Sequence, residues 1–388
     1  SYGLLMLGVS NIIIDGSNTT GGTTQDMTWS GGTNSSTTQN LIQIFMQPGF
    51  SLFDGTPMSL TNITVKNLKI RGGYNSALTS ALSDYGVLIQ GSNNGNIPGA
   101  IASDITVTNN LISQVAGGIR LVVPSPDLYM ARAKRVAFTN NIIGPGAIGT
   151  DSICNAGIVV QGVDSITITG NDIQRVYSGS GTAAIYGIMV YSGTSNLTFA
   201  RNKIHNMMLR STAGQIIGMY ESSTWPANDQ NYWYNNMVYD LHLQSTGYTA
   251  GTSTTAPAVA GIFVANGTGD VFANNTVHLI DTSVAYTYTG LQYTEGFGCS
   301  TGALGLTLVN NIFSNYQRMN RTASFSIGME LYYGSYQVAY SNNNIINAPG
   351  AYGVPGYDAY RSKYVGSLDS LKLLTGGDVY SWPTQPPF

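Results

Sequence analysis

Apolar and small residues alternate in short bursts along this chain, and the bursts end alike. ITVTNNLI from Ile105, VAFTNNII from Val136, ITITGNDI from Ile166 and LTFARNKI from Leu197 each run into an Asn with an apolar residue two positions on. Looser copies are NYWYNNMV from Asn231, DVFANNTV from Asp270, LTLVNNIF from Leu306 and VAYSNNNI from Val338. Alternation with period two predicts strands with one buried face, and no stretch shows helical spacing. Aligned on that Asn, the copies place Asn110, Asn141, Asn171, Asn202, Asn236, Asn275, Asn311 and Asn343 in register, at gaps of 31, 30, 31, 34, 39, 36 and 32 residues. ITVKNLKI from Ile63 is an earlier copy with Leu68 at the Asn position.

A second phrase precedes the first: Gly followed by an apolar strand, at Gly3, Gly86, Gly118, Gly157, Gly187, Gly218, Gly261 and Gly328, with a degenerate copy at Gly298. A fixed two-strand unit with an elastic return segment is the mark of a solenoid. The expected fold is all-β: a single-stranded right-handed parallel β-helix of about ten coils, with strands of successive coils about 4.8 Å apart. Asn at a constant corner predicts a side-chain ladder that satisfies buried amides. The Gly suits a corner needing positive φ or close backbone approach. Residues 1–356 are assigned to the β-helix. Residues 357–388, richer in charge and without the repeat, are assigned to a cap or a linker to a following region. The chain enters an apolar strand at once, so the expectation is a segment cut from something longer.

Stacking turns sequence columns into spatial neighbours. Two positions past the Asn, Ile112, Ile143, Ile173, Ile204, Val238, Val277, Phe313 and Ile345 are expected inside. One further on, Gln174, His205, Tyr239 and His278 are expected outside, followed by Arg175, Asn206 and Asp240.

These repeats resemble the parallel β-helix repeat of the pectate-lyase-like superfamily over roughly residues 1–350, of the kind found in large exported bacterial surface proteins. That resemblance implies the fold and a choice among lyases, glycosidases, tailspikes and adhesins. Asp-Asp, Gly-His-Gly and Arg-Ile-Lys phrases and clustered Asp, which the resemblance would imply for a catalytic member, are missing here. The enzyme alternative, a polysaccharide lyase or glycoside hydrolase, therefore rests on scattered candidates: Glu221 and Glu295 beside aromatic-rich insertions, and Asp240, His205 and Arg175 on adjoining coils. Asp172 and Lys203 share a column and predict a surface ion pair. Tyr232, Trp233, Tyr234, Tyr286, Tyr288 and Tyr293 are candidates to stack against sugar rings.

Composition sharpens this picture. Only 9% of the 388 residues are charged, against about 25% in ordinary domains, while 43% are hydrophobic. Collapse is favoured over disorder. A net charge of −3 gives no basic footprint for nucleic acid, and no apolar run is long enough for a membrane span. Cys154 and Cys299 form no disulfide framework, no metal-ligand spacing is present, and no cofactor is expected. Thr rows such as Thr106/Thr108 and Thr167/Thr169 are broken by Tyr232 and Tyr234 in later coils, which argues against ice binding. The reading is a non-catalytic structural or adhesive module, extracellular or at the cell surface. Its expected partners are a polysaccharide or cell-surface molecule, flanking domains of a larger chain, or further copies of itself.

Overall fold

The structure is a computed structural model. It describes residues 2–31, 42–72, 84–91, 100–123, 132–146, 153–179, 184–210, 213–223, 230–244, 252–253, 256–281, 293–317, 325–349 and 352–381. Three long sheets carry the chain, and successive strands visit them in turn. Sheet A runs from Tyr2–Leu7 to Lys363–Val365, sheet B from Ser10–Asp15 to Val338–Asn342, and sheet C from Met27–Ser30 to Ile345–Asn347. Within each sheet the neighbours are parallel and one coil apart, except for the antiparallel edge pair Gly353–Asp358 and Lys363–Val365 of sheet A: Ile166 registers with Val136 before it and Leu197 after it. Among the described residues ten complete A–B–C coils result, followed by the sheet-A strands Gly353–Asp358 and Lys363–Val365. This is a parallel β-helix.

The Asn ladder occupies the corner between sheets B and C. Each Oδ1 accepts both the backbone N–H and the Nδ2–H of the Asn one coil earlier, at 2.9–3.1 Å, from Asn110 to the last rung. Each Nδ2 also donates to a carbonyl, as Asn171 does to Phe138 O at 2.9 Å. Every polar atom of such an amide is thus satisfied in a water-free corner. At one end Leu68 N–H donates to Asn110 Oδ1. The last rung is Asn344, not the expected Asn343. Asn343 holds φ 57°, the left-handed position filled by Asn109, Asn140, Gly170, Arg201, Asn235, Asn274 and Asn310 in earlier coils. Correspondingly Ile346, not Ile345, is buried, whereas Ile112 through Phe313 lie inside as expected.

The glycine column serves close approach, not positive φ. A Cβ on Gly157 would collide with Ile173 and lie 2.7 Å from Gly187 O. The same contact recurs through Gly218, Gly261, Gly296 and Gly328, so Gly296 replaces the expected Gly298 in this column. Inside, aliphatic residues give way to a ring stack in the later coils: Phe199 and Trp233 lie 3.8 Å apart at 13°, followed by Phe272, Phe297 and Phe313.

The only α-helix among the described residues, Leu368–Thr375, departs from the expectation of no helical segment. Ser367 caps its N-terminus and Gly376, at φ 70°, its C-terminus. Its Leu371 and Leu374 are buried. Just beyond it, Ser381 Oγ accepts from Asn344 N–H and Asp378 Oδ1 from Asn344 Nδ2. These two side chains take the place of a further rung.

Candidate functional site

Sheet C brings one group of candidates together. Gln174 registers with His205, His205 with Tyr239, and Tyr239 with His278, forming the outward column the spacing predicts. His205 and Tyr239 stack with ring centres 4.9 Å apart at 1°. His205 is also pinned: Nε2 meets Asp172 Oδ1 at 2.8 Å, and Asn206 Nδ2 donates to Nδ1 at 2.9 Å. Both ring nitrogens are thus engaged by neighbouring side chains. Asp172 therefore pairs with His205 and not with Lys203. Asp240, held at φ 60°, bonds His242 two residues on. Arg175, at φ 52°, bonds the neighbouring Gln174. Burial lowers the pKa of His278, which keeps it neutral at neutral pH.

The two glutamates beside the insertions lie on opposite sides of sheet A. Glu221 registers with Val190 and Val264 of the core and is itself buried. Its Oε1 accepts from Ser223 N–H, and its chain approaches Gly267 together with Asp270. Glu295 registers with Ala260 and Ile327, which belong to separate clusters on the outer face. Asp240 is on sheet C. The three carboxylates singled out from sequence share no groove.

A different acid joins Glu295. Glu330 is fully buried, registers with Tyr357, and its Oε2 accepts from Cys299 N–H at 3.2 Å. Glu295 is also fully buried, and neither of its carboxyl oxygens has a hydrogen-bond partner among the described residues. It lies over Gly298, where any Cβ would collide with Oε2. Burial first, then the nearby Glu330, drives the Glu295 pKa well above the ordinary carboxyl range. Ile217, Ala260 and Phe263 lie on one side of the pair, and Tyr293, Ile327 and Tyr357 on the other. Glu330 escaped the sequence reading because its column was anchored on Gly298 instead of Gly296.

The aromatic candidates divide in the same manner. Trp233 is a core residue, fully buried between Phe199 and Phe272, so it presents no surface ring. The alternation of YWY already requires this, since Trp233 falls at the position of Val107. Tyr293 is 8% exposed within the outer cluster of sheet A. Tyr286 and Tyr288 lie outside the described residues. Tyr232 and Tyr234 remain on the open outer face of sheet B, 42% and 38% exposed. Their column neighbours are small: Thr198 and Val271 flank Tyr232, Ala200 and Ala273 flank Tyr234. On the preceding coil stand two exposed cations, Arg201, whose N–H donates to Tyr234 O, and Lys203, which registers with Met237.

Cys154 and Cys299 are free and buried. Among the described residues no group of three or more His, Cys, Asp or Glu is arranged to hold a metal ion, and no helix is long and apolar enough to cross a membrane. No protein-family model and no curated protein match the chain. Among solved structures it is similar to the Dettilon tailspike protein (gp208), at 13% identity and a TM-score of 0.26. That likeness covers 83% of this chain and spans 62% of the tailspike chain. The class of protein, a parallel β-helix, follows from the strand registers and the Asn ladder themselves.

Proposed function

We propose that this chain is a non-catalytic, saccharide-binding β-helical module of an extracellular or cell-surface protein. The observation that carries this reading is the pair of open phenol rings, Tyr232 and Tyr234, standing above small neighbours on sheet B. Folding gives them no aromatic partner in their own columns, only Thr198, Val271, Ala200 and Ala273. Their faces are free to stack on the apolar face of a sugar ring, with the hydroxyls as polar handles. Arg201 and Lys203 add donors for hydroxyl or carboxylate oxygens at the adjoining corner. The separation of Glu221, Asp240 and Glu295 supports binding over cleavage, because a glycosidase needs two carboxyl groups about 5–10 Å apart across one bond.

The test is affinity electrophoresis and calorimetry against a panel of neutral and acidic polysaccharides, with reducing ends and unsaturated products assayed in parallel. Binding without turnover is expected, weakened about tenfold by Tyr234→Ala and further by the double variant with Tyr232→Ala, a loss of about 1.4 kcal/mol per tenfold step. Binding that survives both substitutions, or product release from any polymer, overturns the reading.

A further inference from the structure

The outer face of sheet A carries a feature that saccharide binding on sheet B does not use. Glu295 and Glu330 reach the same short stretch of backbone: Glu295 overhangs Gly298, and Glu330 accepts from Cys299 N–H. Both are fully buried. Two adjacent carboxylates excluded from water repel each other and lose their hydration, so full ionisation of both is strongly opposed. A single proton between them removes one charge and supplies a donor to a Glu295 carboxyl that otherwise has none. We propose that Glu295 and Glu330 share a proton in the folded chain, and that this proton clasps the outer layer of sheet A, which tightens in acid and loosens as the pH rises.

Among the described residues, the other titratable groups around the pair are shifted out of this range or engaged elsewhere. On its own strand, Tyr293 is pushed up to about 12, by burial first and then by Tyr357, Tyr364 and Glu295. Burial and Glu330 likewise raise the Cys299 thiol well above its usual value. Tyr364 is raised by burial and by Tyr357. From the preceding coil the neighbours are Ala260 and Phe263, and from the following one Ile327, all apolar. On the sheet-A strand Gly353–Asp358, Asp358 is engaged by Arg361 at 2.6 Å. A metal ion is the weaker alternative, since a hard cation such as calcium takes about six to eight oxygens and the pair offers four at most.

The sign follows from linkage. A carboxyl whose pKa is higher folded than unfolded holds its proton more tightly in the native state. Stability is then fully present below the ordinary value of 4.5 and is lost as the pH rises from there through the raised folded value. Hydrogen exchange of the full chain, corrected for intrinsic rates, reads this locally at residues 293–304 and 325–331. Between pH 4.5 and 8.5 protection there should fall at least tenfold, about one pKa unit of linkage, with little change in the Asn ladder. Glu295→Gln, an uncharged isostere, should flatten that profile, and Glu330→Gln should do the same. Parallel profiles for the native chain and both variants overturn the proposal. So does protection at pH 8.5 that returns with calcium, disappears with chelator and is absent from Glu295→Gln, which would make the pair a cation site.

Discussion

The outer faces of sheets A and B are made by the same coils yet obey opposite rules. Outside sheet B, Thr, Asn and Tyr stand in water, and charges are paired at the surface, as in the two-pronged contact of Arg135 with Asp104 at 2.6 and 2.7 Å. Outside sheet A, Phe263, Tyr293, Ile327, Tyr357 and two glutamates are buried. The pKa directions follow. The Arg135 contact holds Asp104 below its usual value, and Ser17 N–H, with Asn67 and Lys66, holds Asp15 down to about 2. These groups contribute stability above the ordinary Asp value of 3.8 that is lost as the pH falls, whereas the Glu295–Glu330 pair acts in the opposite direction. A solenoid is therefore not one wall repeated three times. The interior fixes the strands, and each outer face is free to become a second packed layer or a wetted surface.

The strongest test of that contrast uses two adjacent residues of one strand. Trp233 lies inside and Tyr234 outside, although both were candidates for the same sugar-binding surface. Trp233→Ala removes the centre of the ring stack and should cost about 3–5 kcal/mol. Tyr234→Ala should stay within about 0.5 kcal/mol, as for an open surface position. Urea denaturation followed by circular dichroism measures both. Equal losses would mean that the Tyr234 ring is packed by the fold and is not available to a ligand.

The repeat made most of the fold legible before any coordinates. Period, ladder corner, inward column and the Gln174–His205–Tyr239–His278 strip all follow from aligning one Asn. What stayed hidden were positions where two registers fit the same letters. In SNNNI the three consecutive Asn residues satisfy the pattern either way, and only the requirement for left-handed backbone one residue before the rung selects Asn344. Between Glu295 and Gly298 two glycines compete for one column, and choosing the wrong one conceals which face Glu295 occupies and that Glu330 adjoins it. The Asn choice is directly measurable. Asn344→Ala strips the acceptor from Asn311 and the donor from Leu308 O and Asp378. It should cost about 2–3 kcal/mol as buried groups lose their partners. Asn343→Gly keeps the backbone conformation and should be close to neutral. A reversed order would place the rung back at Asn343.

The smallest expected effect bears most directly on why sheet B has an open site. At the left-handed position before each rung every described coil from Asn67 onward has Asn or Gly except one, which has Arg201 at φ 56°. A long side chain there costs about 1 kcal/mol relative to Gly, and Gly returns part of that through greater freedom in the unfolded chain. Arg201→Gly should therefore stabilise the chain by a few tenths of a kcal/mol, up to about 0.5. Strain retained at one coil of a regular repeat points to a use for the residue, and Arg201 adjoins Tyr234. The same substitution should weaken saccharide binding while raising the urea midpoint, separating what the corner needs from what the surface does. If binding and stability both fall, Arg201 supports the corner itself, and the exposed rings lose their neighbouring cation as part of the argument.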